Sequence, residues 1–138
     1  MNLGRRDGKV ATSKPILLLS IIEGISMEEV TENKILFGDA KLRNRYRVLS
    51  EFFNGRITTQ FLPFYIRPFF FLDSEPFYEL VWKGAERPAT KAQTPSAKYL
   101  EEHLAYAKLD DELWLLLQDA ENRGYFKQLI IDYYLKEN

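Results

Sequence analysis

The sequence predicts an α+β fold: one mainly helical domain with a small antiparallel sheet. Two stretches, KPILLLSII and LRNRYRVLSEFF, carry apolar residues at helix spacing. Two others, FFFLD and FYELVW, are rich in β-prone aromatics and flank the turn-forming SEP. The last third returns to helical patterning, and 138 residues suffice for one core but not two.

The elements follow in order. Residues 1–12 are polar and rich in Gly and Arg, and read as a flexible basic arm. Residues 13–138 read as a single domain. Its first helix spans about 14–25, with Pro15 in the first turn, where a missing N–H costs nothing. Leu17, Leu18, Ile21 and Ile22 give it a broad apolar face. NKILF is strand-like. The next helix runs over about 39–53, between Asp39 as N-cap and Asn54-Gly55 as stop. Leu42, Tyr46, Leu49 and Phe53 form its apolar face. Residues 57–66 read as extended or irregular because of Pro63. The stretch RPFFFLDSEPFYEL then reads as entering a β-hairpin, with Phe69 and Phe71 on one side and Phe70 and Leu72 on the other. A polar, Pro-containing loop follows Trp82. KYLEEHLAYAKL reads as one helix, and Asp110 or Asp111 and Asp119 as caps of two more.

Composition excludes several chemistries. With no cysteine there is no disulfide, thiol nucleophile or cysteine-ligated metal, which suits a reducing cytoplasm. His103 is the single histidine, so a Ser-His-Asp triad or a histidine-metal nuclease lacks its parts unless that one residue is well placed. On KYLEEHLAYAKL it reads as a surface or packing residue. No phosphate-cradling Gly-rich motif occurs. Asp73, Glu79 and Lys83 have the wrong spacing for a metal nuclease and fit a solvated hairpin edge. We therefore expect no enzyme activity, no cofactor and no metal. No apolar run is long enough to span a membrane, and the expected location is the cytoplasm.

Charge points elsewhere. Residues 1–70 hold 11 Lys/Arg against 7 Asp/Glu, whereas residues 71–138 hold 8 against 13. Such a dipole favours a polyanion at one face. Lys41, Arg43, Arg45 and Arg47 stand on the polar faces of the second helix, where cations neutralise phosphates. The bland reading is a solvated basic helix face. Helix, short strand, basic helix and aromatic hairpin also fit a winged-helix-like arrangement.

Three segments together resemble a known family: KPILLLSII (14–22) with ENKI (32–35), RPFFFLDSEPFYEL (67–80), and YAKLDDELWLLL (106–117) with LIIDYYL (129–135). They are similar to the N-terminal recognition domain that precedes an HNH nuclease module in bacterial restriction-type endonucleases. That family includes the sulfur-binding domains that recognise phosphorothioate-modified DNA. The resemblance covers most of the chain. It implies DNA as partner, a role in bacterial defence, and a nuclease supplied by a separate HNH module.

In sulfur-binding relatives the sulfur lies in a shallow apolar pocket, built from a Tyr-Pro pair and a small residue three positions beyond the proline. Basic residues at the first helix start and in the arm hold the DNA backbone. By motif position these are Arg67-Pro68, Phe71, Ser13-Lys14 and Arg6. Arg6, Lys14 and Pro68 keep the family character, whereas Ser13, Arg67 and Phe71 depart from it. A bulky Phe71 fills the pocket, and Arg67 favours an ordinary charged phosphate. The competing expectation is a protein-interaction or homodimerisation module, built on the acidic C-terminal half and its aromatics.

Overall fold

A computed structural model describes residues 12–84 and 94–136, with the backbone of two short strands before them. Those strands, β1 (Arg5–Arg6) and β2 (Lys9–Val10), pair antiparallel. Arg6 thus lies in β1, but its side chain, like the rest of the proposed arm, falls outside the described residues.

The centre of the domain is α1 (Ser13–Ser26). Every residue from Pro15 to Ile22 is buried, so this helix is apolar all round rather than amphipathic. Its one buried hydroxyl, Ser20, donates to the Ile16 carbonyl at 2.7 Å and so leaves no polar group unpaired. Leu17 and Ile21 are fully enclosed, and each such side chain contributes about 1.5–3 kcal/mol of burial. The helix ends where Glu28 adopts a left-handed conformation (φ 59°) and the chain folds back. Val30 then passes so close that a Cβ on Gly24 would meet its Cγ2 at 2.9 Å.

The second helix, α2 (Ala40–Asn54), has the predicted ends. The Asp39 carboxylate accepts from the Lys41 and Leu42 amides at 2.9 and 3.2 Å. Gly55 stops the helix at φ +86°, where L side chains are strained. Leu42 and Tyr46 face the core, and α2 packs on α1.

Residues 61–71 correct the sequence reading. They form α3 (Phe61–Phe71), not an irregular segment followed by a strand. Phe61, Tyr65 and Phe69 recur every four residues and stack along one face, with centroids 5.7 Å apart at each step. Pro63 falls within the first turn, where no intrahelical donor is needed. Pro68 lies inside the helix and withholds the amide that would reach the Phe64 carbonyl. Burial of Tyr65, Ile66, Phe69 and Phe70 outweighs that loss. A 3-10 turn, Leu72–Ser74, leads to β3 (Tyr78–Trp82). The aromatic hairpin that would have made a wing is therefore absent.

The partner of β3 comes from farther on. KYLEEHLAYAKL is not one helix: α4 (Ala97–His103) gives way at once to β4 (Leu104–Leu109). β4 pairs antiparallel with β3, Tyr78 opposite Leu109 and Leu80 opposite Ala107. NKILF supplies a third, partial strand: Ile35 exchanges backbone hydrogen bonds with Ala107 at 2.7 and 2.8 Å. Two residues away the Asn33 side chain imitates a peptide, donating to the Leu109 carbonyl at 2.7 Å and accepting from its amide at 2.8 Å. The chain closes with α5 (Asp111–Leu116), α6 (Ala120–Ile130) and a π-helical turn, Ile131–Leu135. As predicted, Asp119 caps α6, accepting from the Asn122 amide at 3.0 Å. Asp110 occupies the N-cap position of α5. α6 returns to pack on α1, so α1 is enclosed by α2, α3 and α6. The architecture is α+β, as expected, although its strands lie elsewhere. No helix among the described residues is long and apolar enough to cross a membrane.

Candidate functional site

The start of α1 and the end of α3 meet at one end of the domain. The link is Lys14, whose Nζ donates to Ser74 Oγ at 2.9 Å and lies 3.5 Å from Glu75 Oε2. Ser74 and Glu75 close the turn that follows α3, so this bond fixes the two helix ends together. The Lys14 and Glu75 side chains are only 14% and 9% exposed. Ser13 stands beside Lys14 in the first turn and is half-buried. Behind them, Asn54 at the end of α2 donates to Thr12 Oγ1 at 2.8 Å.

On α3, Arg67 and Phe71 are one turn apart. Arg67 is exposed, and its guanidinium lies 5.9 Å from the Phe71 ring centre. Phe71 is half-buried, with its ring edge-on to Phe70 at 5.1 Å. Pro68 is buried. An aromatic plate with a cation above it therefore stands beside the Lys14 end.

The basic residues of α2 separate into two groups. Lys41 and Arg47 are exposed, and the Arg47 guanidinium covers the Phe61 ring at 4.4 Å. Arg43 and Arg45 are half-buried and held by other parts of the fold. Arg43 Nε donates to the Phe37 carbonyl at 2.9 Å, and its guanidinium stacks on Phe37 at 4.5 Å and near Tyr65 at 5.5 Å. Arg45 donates to Glu29 through Nη2 at 2.6 Å and through Nε at 3.1 Å, and also reaches Glu23 at 3.4 Å. Glu23 is shared with Lys127 of α6 at 3.5 Å, so Arg45 belongs to a network joining α1, α2 and α6. The four α2 cations do not form one continuous surface.

The residues weighed for catalysis are occupied in the fold. Asp73 accepts from the Leu80 amide at 3.0 Å, Lys83 donates to the Glu101 carbonyl at 3.0 Å, and His103 packs on Tyr99 at 4.5 Å. No acidic or histidine cluster suited to a metal ion occurs among the described residues. The sequence missed Ser74 and Glu75, which lie sixty residues from Lys14 and carry no local signal of the pairing.

No protein-family model matches the chain, and no curated protein matches it. Solved structures do. The chain superposes on the sulfur-binding domain and SRA domain of ScoMcrA complexed with phosphorothioated DNA, with a TM-score of 0.72 at 19% identity. That match covers 97% of this chain and 40% of the other, so the chain spans well under half of that protein. The sulfur-binding domain of ScoMcrA alone, also complexed with phosphorothioated DNA, matches with a TM-score of 0.70 at 19% identity. Here the match covers 97% of this chain and 82% of the other. Over nearly its whole length, then, this chain has the fold of the sulfur-binding domain of ScoMcrA.

Proposed function

We propose that this chain is a DNA-recognition domain, without catalytic activity of its own, of a restriction-type bacterial defence protein. The observation that carries the reading is the fold, shared over 97% of the chain with domains complexed with phosphorothioated DNA. The DNA backbone would lie across the end of the domain where α1 begins and α3 finishes. Arg67 would meet a phosphate, with Ser13, Lys14 and the arm residue Arg6 beside it. Lys41 and Arg47, exposed on different sides of α2, offer further phosphate contacts. An HNH module in the same or a partner protein would supply cleavage.

The chemistry of the pocket position argues for ordinary phosphate over sulfur. Sulfur is polarisable and weakly hydrated and needs a small apolar recess. By motif position Phe71 would take that place, and the Arg67 guanidinium lies 5.9 Å from its ring centre. Guanidinium is matched to phosphate oxygens.

The test is fluorescence anisotropy with plain, methylated and phosphorothioate duplexes of one sequence at two salt concentrations. Equal binding to all three that weakens steeply with salt supports the reading. Selective binding to the phosphorothioate duplex would overturn the pocket argument, and no binding to any duplex would overturn the function. The alternative is a protein-interaction or dimerisation module. It draws on exposed Leu115, Tyr125 and Tyr133 in the C-terminal helices. A concentration-independent dimer by sedimentation, with no DNA shift, would favour it.

A further inference from the structure

The cation at the start of α1 is already neutralised from within. Lys14 Nζ faces the Glu75 carboxylate at 3.5 Å, and Ser74 Oγ bridges them, 2.9 Å from the ammonium and 3.5 Å from the same Glu75 oxygen. Both side chains are largely withdrawn from water, where salt screens a pair much less than at the surface. An ammonium held in this way is not available to displace a condensed cation from the DNA backbone. A DNA phosphate that approached it would also bring a second negative charge against Glu75.

We propose that Glu75 is a built-in competitor of the DNA phosphate at Lys14, an internal carboxylate that occupies the phosphate subsite and sets both affinity and salt dependence. This inference rests on the DNA-binding reading above. The geometry suits such a role. Glu75 sits on the turn directly after α3, four residues beyond Phe71, and its carboxylate ties that end of α3 to Lys14 at the start of α1. While Glu75 holds Lys14, that cation makes no phosphate contact, and the wild-type domain binds with one cation fewer than its sequence offers.

The experiment compares the wild type with Glu75→Gln and the double variant Lys14→Gln/Glu75→Gln on an unmodified duplex over a salt series. Glutamine keeps the shape and hydrogen-bonding capacity of the site and removes only the charge. Glu75→Gln should tighten binding by about tenfold, the order expected for removing one like-charge contact a few ångströms away. It should also steepen the log–log salt slope by about 0.9, because one further cation now neutralises phosphate. The double variant should return the slope to the wild-type value. Ser74→Asp, at an exposed position, adds a second carboxylate that can still accept from Lys14 and should weaken binding by about threefold or more. Wild-type binding with an unchanged Glu75→Gln slope and affinity would make the pair purely architectural and leave DNA recognition standing. Should Glu75→Gln fail to fold, unchanged binding by Ser74→Asp would overturn the proposal in its place. If neither folded wild type nor folded Glu75→Gln binds any duplex, both readings fail together.

Discussion

Replacing Tyr78 with Phe isolates one bond that holds the site end of α3. The Tyr78 hydroxyl donates to the Phe69 carbonyl at 2.6 Å inside the core, and the residue is only 3% exposed. The same rings meet edge-on, with centroids 6.3 Å apart. Tyr78→Phe keeps that ring contact and the apolar burial. It removes only the donor to a buried carbonyl, which costs about 1–2 kcal/mol. An unfolding entropy of about 2.1 cal/mol/K per residue, over 138 residues, gives roughly 0.3 kcal/mol/K. The melting temperature should therefore fall by about 3–7 °C, read by calorimetry at neutral pH. Tyr133→Phe serves as the control, because Tyr133 is 76% exposed and its loss should leave the melt unchanged. A Tyr78→Phe protein melting within one degree of wild type, as about 0 kcal/mol would require, would refute the claim that this bond anchors α3.

Three further outcomes follow from the same geometry. Burial pushes the hydroxyls of Tyr46, Tyr65 and Tyr78 well above the ordinary tyrosine range, so the folded state holds these protons more tightly than the unfolded chain. Their stabilisation is complete below the unfolded value of about 10 and is lost as pH rises from there towards the folded values, at up to about 1.4 kcal/mol per pH unit each. Urea midpoints measured from pH 8 to 11.5 should hold steady and then drop sharply above about 10, and a flat curve would contradict the burial of these groups. Asn33→Ala deletes both bonds to Leu109 and should cost about 1–3 kcal/mol, with faster amide exchange at Leu109; unchanged exchange there would show that the side chain does not complete the sheet. Arg67→Gln should reduce the salt slope of DNA binding by about 0.9, whereas Arg45→Gln should leave the slope alone while lowering the melting temperature. Equal effects of the two on the slope would mean that Arg45 abandons Glu29 on binding.

Where the sequence was legible, its signals were local. α2 shows this most plainly, because its cap, its stop and its apolar period all lie within seventeen residues. α3 departs from the sequence expectation because phenylalanine is a strand signal and proline a breaker signal. The spacing of Phe61, Tyr65 and Phe69 carries a helical period, and the packing of those rings on Tyr46, Phe37 and Tyr78 decides between the two. β4 was illegible for a different reason. Its residues are compatible with a helix, and they become a strand only because Tyr78, Leu80 and Ile35 offer backbone partners from elsewhere in the chain.

The same division governs the candidate site, and it changes what charge in a sequence means. Arg67 and Phe71 are neighbours because they are four residues apart on a helix, so their pairing was readable once the helix was recognised. Arg43, Arg45 and Lys14 looked equivalent to Arg47 in the sequence, each a cation on or before a basic helix. In the fold, Arg43 lies against Phe37, Arg45 is held by Glu29 and Glu23, and Lys14 faces Glu75. Each of these partners lies between 6 and 61 positions away, beyond what helical periodicity reports. The excess positive charge of residues 1–70 therefore overstates the cationic surface. Among the described cations of residues 1–70, Lys34, Lys41, Arg47, Arg56 and Arg67 stay exposed, and of these Arg67 lies beside Phe71 at the end of α3. With Lys14, Arg43 and Arg45 engaged inside the fold, a DNA interface at the α1–α3 end depends on local geometry more than on bulk charge. That dependence gives a carboxylate such as Glu75 its leverage over binding.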